Sequence, residues 1–217
     1  MAKEGIPFIV LFLVPGLALL ALGYISGGLI FSTAAALCLV LAAFMAFFFR
    51  DPDRSCPVDE TIVVSPADGR VVSVTPVDPK AEESATQVSI FLSPLDVHIN
   101  RSPIAGEIID FLYKPGAFHV ASRDIASVEN EQNIVTVRGS RVTVVFRQIA
   151  GLLARRVVFW KKKGDRVALG EKIGLMKFSS RMDVVMPHEV EVLAVKGQRV
   201  IGGVTVIGRL RCEARRV

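Results

Sequence analysis

The chain has 217 residues and a formal net charge of +5, from 26 Lys and Arg against 21 Asp and Glu. That modest surplus, with no dense Lys/Arg run interleaved with aromatics, argues against a nucleic-acid-binding protein and suits an anionic membrane surface or acidic headgroups. Cys38, Cys56 and Cys212 are far apart and form no Cys-x-x-Cys pair, so neither a disulfide framework nor a metal site is expected, and a reducing compartment fits.

Nearly all the hydrophobic excess precedes Arg50. Ile6–Ile25 and Leu29–Phe49 are uncharged runs, each of a length that crosses a hydrocarbon core of about 30 Å as a helix. Ser26, Gly27 and Gly28 between them read as a turn, which predicts a helical hairpin over residues 1–50 with both ends on one side. Lys3, Arg50 and Arg54 flank the runs, and the positive-inside rule puts that side in the cytoplasm, with the hairpin in the cell (inner) membrane. A cleaved signal peptide is the weaker reading, because the n-region holds only Lys3 and no clear small-residue cleavage site follows.

Over residues 51–217 the pattern changes to short Val/Ile-rich runs punctuated by Gly and Pro: Thr61–Val64, Gly69–Thr75, Gln87–Leu92, Ile134–Val137, Arg141–Ile149 and Val200–Leu210. This predicts a mainly β domain, a barrel or sandwich, with one short helix around Ala121–Glu129. Internal repeats run through it. Ser65-Pro-Ala-Asp-Gly, Ser102-Pro-Ile-Ala-Gly and Met186-Pro-His-Glu each put a Pro and a turn before a strand. Lys163-Gly-Asp-Arg-Val-Ala-Leu-Gly matches Lys196-Gly-Gln-Arg-Val-Ile-Gly-Gly. The arrangement resembles biotinyl/lipoyl-carrier half-repeats, which would put Met176–Arg181 at an exposed hairpin tip.

Three segments carry chemistry in order. Phe48-Phe-Arg-Asp-Pro-Asp-Arg54 leads to Ser65-Pro-Ala-Asp-Gly69. Ser93-Pro-Leu-Asp-Val-His-Ile-Asn-Arg-Ser-Pro103 continues through Tyr113-Lys-Pro-Gly116 and Glu129-Asn-Glu-Gln-Asn133. Lys177-Phe-Ser-Ser-Arg-Met-Asp183 closes the set. Together they resemble the short bacterial and archaeal, pyruvoyl-dependent form of the phosphatidylserine decarboxylase family.

The resemblance implies a proenzyme that cuts itself between Ser179 and Ser180 into a beta chain, 1–179, and an alpha chain, 180–217. Ser180 would become the covalent pyruvoyl cofactor. An N-to-O acyl shift by a weakly nucleophilic hydroxyl needs a base. The resemblance assigns that role to His98, oriented by Asp68, and makes Asp68, His98 and Ser180 the catalytic set. The pyruvoyl carbonyl would form a Schiff base with the amine of phosphatidylserine, and His98 would protonate the product carbanion to give phosphatidylethanolamine and CO2. Membrane phospholipid is the implied partner, with a homodimer suggested by the family. The family usually has Gly before the reactive serine, and a Cβ at Ser179 restricts strained backbone angles there, so slow self-cleavage is expected. Attack by Ser179 itself is the alternative.

Other residues have plainer readings. Lys177 fits a solvated hairpin lysine better than a carrier lysine, and His119 and His188 read as structural. Asn130–Gln132 either lines a pocket or closes a turn, and Trp160 with Lys161–Lys163 is either interfacial or a solvated loop. Two competing functions stand beside the first: a decarboxylase of a related lipid such as archaetidylserine, and a non-enzymatic membrane-tethered carrier-like adaptor.

Overall fold

The computed structural model describes residues 1–81, 84–123, 125–152, 157–178 and 180–211. The chain divides into two compact units, Met1–Asp53 and Arg54–Val217. In the first, α1 (Ile6–Ser26) and α2 (Leu29–Phe48) are joined through Gly27, whose φ of 64° is the left-handed conformation that ends a helix and that glycine adopts without strain. Gly16, Gly23, Ala35 and Ala42 are the small residues buried along the two helices, which lets the backbones approach closely; most of the large side chains face outward. The seam is made of small residues and the outer surface of Leu, Val and Phe. Both helices are long and apolar enough to cross a membrane.

The second unit is mainly β. Its strands are β1 (Ile62–Val64), β2 (Gly69–Pro76), β3 (Thr86–Leu92), β4 (Ile99–Arg101), β5 (Gly106–Lys114), β6 (Gln132–Arg138), β7 (Thr143–Ile149), β8 (Val157–Phe159), β9 (Arg166–Val167), β10 (Lys172–Met176), β11 (Ser180–Met186), β12 (Val190–Val192), β13 (Arg199–Val200) and β14 (Val206–Leu210). An eight-stranded antiparallel sheet runs β13-β2-β3-β11-β7-β6-β5-β9, beside three-stranded sheets β1-β14-β12 and β4-β10-β8. Val71, Val88, Ile90, Val135, Phe146, Met182 and Val184 contribute to the buried core. The expected short helix is α3, Ala126–Glu129, a single turn at the end of the expected span.

The sequence repeats correspond to a structural duplication. A first half consists of β1–β3 with β11–β14, and a second of β4–β10. Ser65 Oγ donates to Ala67 O and Ser102 Oγ donates to Ile104 O, both at 2.6 Å. Val64 N donates to Pro103 O and Arg101 N to Pro66 O, so the two turns exchange backbone bonds. The ladders slip at matching places, between Val71 and Ser73 in β2 and between Ile108 and Asp110 in β5. Gly164 and Gly197 have φ of 92° and 90° in the two Lys-Gly turns.

The second half is therefore inserted into the first. Its β6–β7 hairpin closes through Ser140 and Arg141, with Gly139 N bonded to Val142 O. In the first half the matching ends are Leu92 and Ser180, paired across β3 and β11, and residues 93–179 take the place of that two-residue turn. This corrects the expectation of an exposed hairpin tip at Met176–Arg181. β10 and β11 lie in different sheets, and Met176, Ser180 and Arg181 are buried. The expected strand Val200–Leu210 is likewise two strands, β13 and β14, separated by a turn.

Candidate active site

The insertion brings the three motif segments side by side. The bond from Arg101 N to Pro66 O sets the chain before Asp68 against the chain after His98. Met176 N donates to His98 O, and Ser180 pairs with Leu92, the residue before the Ser93–Asp96 turn. Ser179 lies outside the described residues. Alternation along β11 puts Ser180, Met182 and Val184 on the core face and Arg181 and Asp183 on the other.

Ser180 opens β11 with none of its surface exposed, and its Oγ has no hydrogen-bond partner among the described residues. A buried hydroxyl without a partner carries a desolvation cost, so its presence needs a reason beyond packing. Two residues earlier Phe178 has φ 53°, a left-handed conformation that strains a bulky side chain. Strain and an uncommitted hydroxyl therefore sit within three residues of one another.

His98 is buried, with Nδ1 2.9 Å from the backbone oxygen of Asp96. An Nδ1–H donated to that carbonyl leaves the lone pair of a neutral imidazole on Nε2, the arrangement of a base. Asp96 is itself fixed: Oδ2 accepts from Ser93 N and Oγ, both at 2.8 Å, and Oδ1 accepts from Arg199 Nη2 at 2.6 Å. Sequence reasoning passed over Asp96, although Ser-x-x-Asp is a local turn signal.

Asp68 is held from two sides. Arg54 Nη1 and Nη2 donate to Oδ1 and Oδ2 at 2.5 and 2.8 Å, and Gly202 N donates to Oδ1 at 2.8 Å. Arg54 Nη1 also donates to Gly202 O at 2.6 Å. Both side chains are largely buried, so this is a charge-assisted fork at the end of β2's leading turn.

A second ion pair lies on the opposite face of β11. Arg181 Nε donates to Asp183 Oδ1 at 2.7 Å, and Arg181 Nη2 donates to Ser89 Oγ at 2.7 Å. Ser127 Oγ donates to Asp183 Oδ2 at 2.6 Å, tying α3 to the strand that begins at Ser180. The i, i+2 spacing of Arg181 and Asp183 in a strand signals a shared face; their complete burial was not legible.

Asn130 closes the loop before β6: Nδ2 donates to His119 O and Ala150 O, and Oδ1 accepts from His119 N. His119 pairs with Glu129, and His188 with Glu189, both at the surface. Lys161 pairs with Glu171 and Lys163 with Asp110, and Trp160 is partly exposed.

The sequence profile of the family described as phosphatidylserine decarboxylase matches residues 41–208. The chain is 54% identical over 171 residues to the phosphatidylserine decarboxylase proenzyme of Solibacter usitatus, covering 79% of this chain and 81% of that one. It is 42% identical over 210 residues to the proenzyme of Erythrobacter litoralis, covering 90% and 84%. Identity is also 42% over 214 residues to that of Citrifermentans bemidjiense, covering 96% of each. The class is thus an enzyme made as a self-processing proenzyme. The chain belongs to the phosphatidylserine decarboxylase family.

Proposed function

We propose that the chain cleaves itself before Ser180 and that Ser180 becomes the pyruvoyl group with which the mature enzyme decarboxylates phosphatidylserine. The observation that carries this reading is the buried, unpartnered Ser180 Oγ at the first residue of β11, close to the left-handed Phe178. A group made from Ser180 would inherit a water-poor position at a strand end, which fits an electrophile that must be kept from side reactions. Ser180 would hold the group covalently, and a pyruvoyl carbonyl there would supply an electrophile for the substrate amine and an electron sink for loss of the carboxylate.

The rest falls to the chain's own residues. Ser180 Oγ adds to the carbonyl of residue 179 as its proton passes to His98 Nε2, and the peptide C–N bond gives way to an ester. β-Elimination, with loss of the Ser180 α-proton, frees the 1–179 chain as its carboxylate, and the resulting N-terminal dehydroalanine takes up water and releases ammonia to leave the ketone. In turnover His98 returns a proton to the product carbon. The Asp96 carbonyl at Nδ1 orients the imidazole, and the part left to Asp68, held by Arg54 and Gly202, is the negative charge that favours the imidazolium formed as Nε2 takes the proton. The apolar hairpin, proposed as the anchor over residues 1–50, keeps the catalytic domain, residues 51–217, at the cytoplasmic face of the inner membrane, where the lipid substrate resides.

Mass spectrometry of the purified chain tests this. Two fragments are expected, one ending at Ser179 and one beginning with a pyruvoyl-blocked residue 180, and Ser180→Ala gives the intact mass alone. Release of phosphatidylethanolamine by Ser180→Ala would refute the reading.

A further inference from the structure

The second half of the β unit has an open cavity where the first half has its site. Asp68 and Ser180 correspond there to Ala105 and Val142, and both of these line a space of about 720 Å³. The hairpin explains the room. β6 and β7 close through Ser140 and Arg141 alone, whereas the first half leaves β3 through the Ser93–Asp96 turn. The shorter turn has no counterpart of Asp96.

Arg166 is the residue this leaves unmatched. In the paired Lys-Gly turns it corresponds to Arg199, whose Nη2 donates to Asp96 Oδ1 at 2.6 Å. The Arg166 side chain lines the cavity without a hydrogen bond or ion pair among the described residues, and so does that of Arg141. The carboxylates of the lining are engaged. Glu107 pairs with Arg138 at 3.2 Å, and Glu60 accepts from Ser140 Oγ at 3.3 Å. Asp59 accepts from Thr61 N and Oγ1 at 2.8 and 2.6 Å. Glu107 also stands between Arg138 and Arg166 across the ladder, so one carboxylate faces two guanidinia. A lone exposed arginine needs no partner, but two on one cavity form a donor set for an anion. The lining also includes the buried Ile62, Ile104 and Val167, which suit an apolar group attached to that anion.

We propose that this cavity binds an anionic phospholipid, with Arg141 and Arg166 on the phosphate and the apolar lining against the start of the chains. Arg141 comes from the β6–β7 turn and Arg166 from β9. A tetrahedral phosphate serves guanidinia from two separate elements better than a planar carboxylate does. A lipid held here meets Ala105 and Val142 in place of Asp68 and Ser180, so it is retained without being consumed. The site does not depend on cleavage before Ser180.

Arginine footprinting of the full-length chain in nonionic detergent tests this. Phenylglyoxal labels exposed guanidinia, and peptide mass spectrometry reads Arg141, Arg166 and the exposed Arg211, which lies outside the lining. The lipid probe is dihexanoyl phosphatidylglycerol, an anionic phosphodiester with no amine. Glycerophosphoglycerol, the same headgroup without chains, is the soluble comparison. The lipid should protect Arg141 and Arg166 but not Arg211, and the soluble headgroup at equal concentration should protect neither. Ala105→Asp, which sets a carboxylate in the cavity, should raise the lipid concentration needed by about tenfold or more. Arg141→Gln, read at Arg166, should do the same, and a thermal melt confirms that both variants fold. Absent protection, or protection that extends equally to Arg211, overturns the proposal. Equal protection by the soluble headgroup overturns the lipid as ligand, and protection unchanged in both variants overturns the site.

Discussion

The two halves of the β unit share turns, bulges and ladder register, yet differ at the positions proposed for chemistry. Asp68 in the first half corresponds to Ala105 in the second, and Ser180 corresponds to Val142. Around Ala105 and Val142 the second half has an open cavity of about 720 Å³, which Arg138, Arg141 and Arg166 also line. The Arg54–Asp68 fork and the Ser93–Asp96 turn belong to the first half's site. One scaffold thus accepts either set of residues. The polar residues at the site are not what the β turns or strands need in order to form.

Strand β11 gives the sharpest contrast. Arg181 and Asp183 correspond to Thr143 and Val145 of β7, and only the first half has the buried ion pair. Asp183→Ala removes the carboxylate from a buried guanidinium and should destabilise the chain by about 3–5 kcal/mol, read from denaturant titration in detergent micelles. Importing the second half's residues together, Arg181→Thr with Asp183→Val, should recover part of that loss, because no buried charge remains. If the single and double variants are equally unstable, the pair is not what holds the strand.

The fork at Asp68 should rank next. Asp68→Ala strands most of Arg54's hydrogen bonds and should cost about 2–3 kcal/mol, besides impairing self-cleavage. The matching change in the second half, Ala105→Asp, falls on an exposed residue and should stay within about 0.5 kcal/mol. Equal effects from the two would mean that the halves are alike in energy as well as in shape.

The duplication was partly legible because it is written in local signals. Ser-Pro turns and Lys-Gly turns recur at a readable spacing, and the apolar runs Ile6–Ile25 and Leu29–Phe49 match α1 and α2 to within a residue. The insertion of one half into the other was not legible, because it depends on ladder register between Leu92 and Ser180, which are 88 positions apart. That is why Ser180 read as exposed. A Lys-Phe-Ser-Ser run between two β segments looks like a hairpin tip until its flanking strands prove to belong to different sheets. The hydrogen bond at His98 Nδ1 is accepted by a backbone carbonyl, and no residue identity encodes it.

The smallest contrast concerns the turns before β10 and β14. In the first half Thr205 Oγ1 accepts from Ile201 N at 2.9 Å; in the second Glu171 Oε2 accepts from Ala168 N at 2.8 Å and Oε1 pairs with Lys161. Thr205→Val should cost about 1 kcal/mol at any pH, because a hydroxyl cap does not titrate. Glu171 behaves differently. Burial raises its carboxyl pKa, but the Lys161 ammonium and the Ala168 N–H outweigh that and hold it below the usual glutamate value. A group depressed in the folded state stabilises fully above its unfolded pKa and loses that contribution as pH falls through its folded pKa. Glu171→Gln should therefore melt below the parent at pH 7, with the gap closing through the acidic range below the ordinary glutamate pKa. The Thr205→Val gap should persist over the same range, and parallel melts of the two variants separate a charged cap from a neutral one.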